Sequence, residues 1–67
     1  MPAKAAKPLP VRPSYFLDDF SRFEWIMSFL QAGGELAGED QGFKGRYLAG
    51  LTQGQREYWE SYLEYGG

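Results

Sequence analysis

The side chains in this chain that could do chemistry are carboxylates and aromatic rings. Glu57, Glu60 and Glu64 recur at intervals of three and four residues, so a helix carries them as one acidic ridge. Paired carboxylates perform general acid–base or glycosidic chemistry when they line a cleft with one of them partly desolvated. A ridge on the outside of an amphipathic helix is the opposite arrangement, and reads as a solvated face or an acidic docking surface. Asp18 and Asp19 stand at the head of an apolar segment, where carboxylates cap a helix and meet its positive end. Glu35, Glu39 and Asp40 crowd a glycine-rich stretch. They lack the alternating oxygen ligands and twelfth-position Glu of a calcium loop, and so read as a solvated acidic loop.

The 67 residues contain no Cys and no His. That removes disulfides, Cys/His zinc sites, Ser-His and Cys-His nucleophilic devices and imidazole bases. The expectation is a protein with no catalytic residues, no metal and no cofactor. Two Trp, five Tyr and five Phe must supply the burial that a chain of this length needs to fold. No apolar run approaches the roughly 20 residues that span a bilayer. Lys4 and Lys7 are not followed by an apolar signal segment, so a cytoplasmic location is expected.

These side chains are positioned by an expected all-α fold, a small two-to-three-helix bundle over about 14–32, 41–49 and 52–65. A disordered, Pro-rich basic arm, 1–13, precedes the domain 14–67. The longest segment, Ser14–Ala32, organises the chain. Phe16, Phe20, Phe23, Met27 and Leu30 follow a 4-3-4-3 spacing that makes one core stripe. Trp25, Ile26 and Phe29 fall outside that stripe and read as a second apolar patch, left free for docking unless the middle segment wraps round to cover it. Ser14 is a candidate N-cap, with Asp18 or Asp19 taking that place if the first turn is irregular. Gly33-Gly34 closes the helix with a left-handed turn.

In the middle segment Phe43, Tyr47, Leu48 and Leu51 recur at helical spacing after Asp40 as a cap, with Gly50 as the stop. The rival is a short strand over Phe43–Tyr47, and the helix is preferred. Leu36 reads as an anchor for the preceding loop. In 52–65, Thr52 and Gln55 have capping-box spacing and Tyr58, Trp59, Tyr62 and Leu63 make the apolar face. Leu51–Glu57, LTQGQRE, resembles the L-T-x-x-E-x-E opening of LuxR-type helix-turn-helix domains. That resemblance implies a turn and a DNA-recognition helix after it. The sequence has Gly66-Gly67 there, and the likeness is read as shared capping chemistry.

Charge divides the chain unevenly. Residues 1–13 carry Lys4, Lys7 and Arg12 with no acid, a net of +3, and 14–67 carry nine acids against Arg22, Lys44, Arg46 and Arg56, a net of −5. An acidic body disfavours duplex binding, which is mostly phosphate electrostatics. Lys7–Pro13 also fits the basic-x-x-P-x-x-P pattern of SH3-type ligands, although a spacer or a strap across the domain explains it more simply.

The functional expectation is a small protein-binding regulator or inhibitor, by analogy of size and character one encoded by a phage or other mobile element. Its partner would be a host enzyme or regulator, or a second copy of the chain, bound through Trp25, Ile26, Phe29, Arg22, Glu57, Glu60 and Glu64. Two alternatives involve nucleic acid. Lys4, Lys7, Arg12, Lys44 and Arg46 could contact it directly. Otherwise the acidic ridge could mimic it in a basic groove of an enzyme such as RNA polymerase or a nuclease.

Overall fold

The computed structural model describes residues 8–65. They form three helices and no strand: α1 (Asp19–Gln31), α2 (Gly38–Ala49) and α3 (Gln53–Tyr65). The expected small all-α bundle is what the chain builds, and the middle segment is a helix. α1 lies between the other two and packs on both.

α1 begins five residues later than the 14–32 expectation. Asp18 has extended backbone (φ −157, ψ 177) and its carboxylate accepts the Ser21 N–H at 2.8 Å, a side-chain cap that Ser14 does not supply. The released residues 14–18 instead carry Phe16 across to Trp25. At the other end Gly33 takes φ 98, its N–H donates to Leu30 O, and the Gly34 N–H donates to Phe29 O, both at 2.9 Å. That pair of bonds is a Schellman motif, and glycine takes its left-handed φ without the backbone strain that a side chain would bring.

α2 begins at Gly38, earlier than 41, and its N-cap Ala37 makes no side-chain bond. Asp40 is therefore not a cap. It lies in the first turn of α2 and points inward. The capping box of α3 forms as the spacing requires: Gln55 N–H donates to Thr52 Oγ1 at 3.2 Å and Thr52 N–H donates to Gln55 Oε1 at 3.0 Å. Arg56, one position on, donates to the Leu48 and Leu51 carbonyls, tying the start of α3 to the end of α2 and the turn between them.

Phe23, Ile26, Met27, Leu36 and Phe43 make the core, and the first three are almost wholly buried. Leu36 anchors the α1–α2 loop as expected. The stripe on α1 differs from the 4-3-4-3 reading. Because α1 must face two helices, its buried side is Phe23, Ile26, Met27 and Leu30, the i, i+3, i+4, i+7 pattern. Phe20 is half exposed, and Phe16 lies outside the helix altogether. Phe23 joins all three helices. Its ring stacks on Tyr47 of α2 (4.3 Å between centroids, 19°) and meets Trp59 of α3 edge-on (5.1 Å, 89°).

Candidate functional site

Two constellations stand out on this frame. The first is built round Asp40, whose side chain is 6 % exposed. The spacing of Asp40, Phe43 and Tyr47 places the carboxylate at the head of the apolar stripe of α2, so folding carries it inward. Arg12 grips it with two bonds, Nε to Oδ2 at 3.0 Å and Nη2 to Oδ1 at 3.1 Å. Arg22 of α1 adds two more to Oδ1, from Nη2 at 2.8 Å and Nε at 3.3 Å, and its guanidinium lies 4.3 Å over the Phe43 ring. The Arg12 hydrogen bonds, followed by those from Arg22, hold the Asp40 carboxyl below its ordinary pKa, outweighing the burial that pushes it up.

Arg12 thereby fastens the Pro-rich segment to the domain. Residues 8–13 contain no helix or strand, as expected of the arm, but they are strapped down; 1–7, with Lys4 and Lys7, lie outside the described residues. The Val11 carbonyl accepts the Trp25 indole N–H at 3.1 Å. Trp25 also stacks on Phe29 (4.8 Å, 20°) and meets the Phe16 ring at 6.0 Å. Thus the arm and residues 14–18 cover the Trp25 side of the patch that sequence left open. Trp25 and Phe29 are half-buried. Ile26 corrects the expectation outright. It is 0 % exposed, a member of the core cluster, and it has no surface to offer a partner.

Gly34 holds this arrangement from behind. A methyl group there would fall 2.6 Å from Phe29 Cζ, so the ring would have to swing off Trp25. Gly34→Ala is expected to change the Trp25 indole N–H resonance while α-helical circular dichroism stays near that of wild type. An unmoved resonance would show that Phe29 does not hold Trp25.

The second constellation lies across α1 and α3. A groove of about 350 Å³ runs between Ser21, Glu24, Trp25 and Ser28 of α1 and Tyr58, Trp59 and Tyr62 of α3. The Ser28 hydroxyl and the Tyr62 phenol are 3.4 Å apart, which ties the two walls together. Tyr58 meets Trp59 at 82° and Trp59 meets Tyr62 at 75°, so the rings stand nearly perpendicular in series. Tyr58 is 61 % exposed and Tyr65 78 %, and Glu57, Glu60 and Glu64 are exposed on the same helix.

The remaining sequence candidates are dispersed. Lys44 is half-buried, Arg46 is exposed beside a separate groove at the α1–α2 junction, and Arg12 is committed to Asp40. They do not come together with one another as one basic face. Asp40 was missed as a buried centre, and the signal for it was its place on the Phe43–Tyr47 stripe. Among the described residues no group of three or more acidic side chains is placed to hold a metal ion, and no helix is long and apolar enough to cross a membrane. No protein-family model, curated protein or solved structure matches the chain.

Proposed function

We propose that the chain is a small non-enzymatic protein-binding regulator or inhibitor that docks on a host protein through α3 and the adjoining edge of α1. The observation that carries this reading is the α3 surface: exposed Tyr58 and Tyr65 interleaved with exposed Glu57, Glu60 and Glu64, on a helix whose other side is packed. Aromatic side chains supply anchors that lose few rotamers on binding, and a surrounding rim of like charge steers a basic partner and excludes acidic ones. The glutamates stand in solvent, unlike the desolvated carboxylate that general acid catalysis requires.

The same ridge suits a basic groove on a nucleic-acid enzyme, so mimicry is the second reading. Affinity isolation from host extract with the intact chain tests both. A specific protein should be retained by wild type and lost at least tenfold on Tyr58→Ser or on the triple change of Glu57, Glu60 and Glu64 to Gln, with circular dichroism unchanged. Release of that protein by competing DNA would select mimicry. Retention of nucleic acid alone, or of a protein indifferent to these changes, would overturn the docking reading.

A further inference from the structure

We propose that the groove between α1 and α3 is a receptor for a single basic side chain, an arginine or lysine presented by the protein partner. This rests on the docking reading above and specifies the chemistry of what docks. The argument begins with shape. At about 350 Å³ the groove is at the small end of ligand sites, enough for one long side chain and too small for a helix or a strand. Its walls are aromatic: Tyr58, Trp59 and Tyr62 stand nearly perpendicular to one another in series on α3, with Trp25 of α1 also in the lining. A cation seated over the face of any of these rings is attracted by its quadrupole.

Charge narrows the choice. Glu24 is the charged residue in the lining, and none of the lining residues is basic. An apolar side chain would take water from that carboxylate without replacing its hydrogen bonds, and an acidic one would be repelled. A guanidinium or ammonium satisfies both the rings and the carboxylate. The α1–α2 groove offers the contrast, since Arg22 and Arg46 already line it.

The chain supplies its own precedent twice. Arg12 lies 5.2 Å from the Phe16 ring and 5.9 Å from the Trp25 ring while bonded to Asp40, and Arg22 lies 4.3 Å over Phe43 while bonded to the same carboxylate. Both internal guanidiniums therefore rest on an aromatic face beside an acid. The α1–α3 groove repeats that combination on the surface, with more rings and with no internal cation filling it among the described residues.

The test uses the intact chain and a capped peptide, acetyl-Gly-Arg-Gly-amide, followed through the two tryptophan indole resonances. The neutral citrulline peptide, which keeps the shape and removes the charge, is the control. Saturable shifts at Trp59 and Trp25 are expected, with at least fivefold weaker binding of the citrulline peptide. Glu24→Gln and Tyr58→Leu, both at exposed positions, should each weaken the arginine peptide at least threefold without altering the fold. Equal binding of the two peptides, or no saturable response from a folded chain, overturns the proposal. So does a Trp25 shift that survives both variants and disappears in Asp40→Asn, which would mean that the peptide had displaced Arg12 instead. If a host partner still requires Tyr58 and the Glu57, Glu60 and Glu64 ridge but ignores Glu24→Gln, the docking reading stands and this one falls.

Discussion

Replacing Phe23 with Ala is expected to destabilise the fold by about 3–5 kcal/mol, the largest loss of any single side chain here. Phe23 is 0 % exposed and touches the aromatic cores of both neighbouring helices through Tyr47 and Trp59. Phe→Ala at such a site removes about 3–5 kcal/mol, from lost burial together with the cavity left behind. A chain of 67 residues has a total stability of only about 3–10 kcal/mol. The loss is therefore about a third of what is available at the least, and all of it at the most. Phe20→Ala, three residues earlier and half exposed, should cost less than about 1 kcal/mol. Urea titration followed by circular dichroism measures both. Similar midpoints for the two variants would show that Phe23 does not hold the three helices together.

Asp40→Ala is expected to destabilise the fold by roughly 2 kcal/mol and to detach the Pro-rich strap. The figure lies between the 3–5 kcal/mol of breaking a buried pair and the 1 kcal/mol or less of an exposed one, because the carboxylate is buried while its arginines are partly in water. The same site fixes the response to acid. Its carboxyl has a folded-state pKa below the ordinary 3.8, so the stabilisation is complete above that value. It is lost as pH falls from about 4 through the lower folded-state value, when protonation releases the arginines. Asp18 adds a loss of the same sign, since the Ser21 N–H lowers its pKa too. The stability gap between wild type and Asp40→Ala isolates the Asp40 part. It should be constant from pH 7 to pH 5 and shrink below about pH 4, and a gap that persisted unchanged at pH 2 would contradict the assignment.

What could be read from sequence was what local chemistry decides. The Thr52–Gln55 box, the Gly33 turn and the helical spacing of Phe43 and Tyr47 each involve residues within one turn of one another, and each forms. The start of α1 depended on a competition between Ser14 and Asp18 that spacing alone does not settle; the carboxylate took the cap. The core side of α1 was misplaced because its orientation depends on two partners at once. A stripe centred for one facing helix leaves Ile26 outside, and a stripe centred between two brings it in. Asp40 was hidden for a different reason. Its partner Arg12 lies 28 positions away in a segment with no periodicity, and long-range ion pairs leave no local mark. Of the candidate site, the acidic ridge and Trp25 were legible, while the groove exists only once α3 is laid against α1.

The Val11–Arg12 strap has a consequence for anything that competes for the Trp25 and Phe29 surface. It behaves as an intramolecular ligand, joined to its receptor by the short stretch 13–18, and a tether of that length holds its cargo at an effective concentration in the millimolar range. A rival segment with the same intrinsic contacts must be supplied at comparable concentration to displace it, whereas one carrying a further anchor elsewhere on the domain competes on equal terms. Access to that face is thus governed by valency: single-contact binders are turned away by mass action, and two-contact binders are admitted.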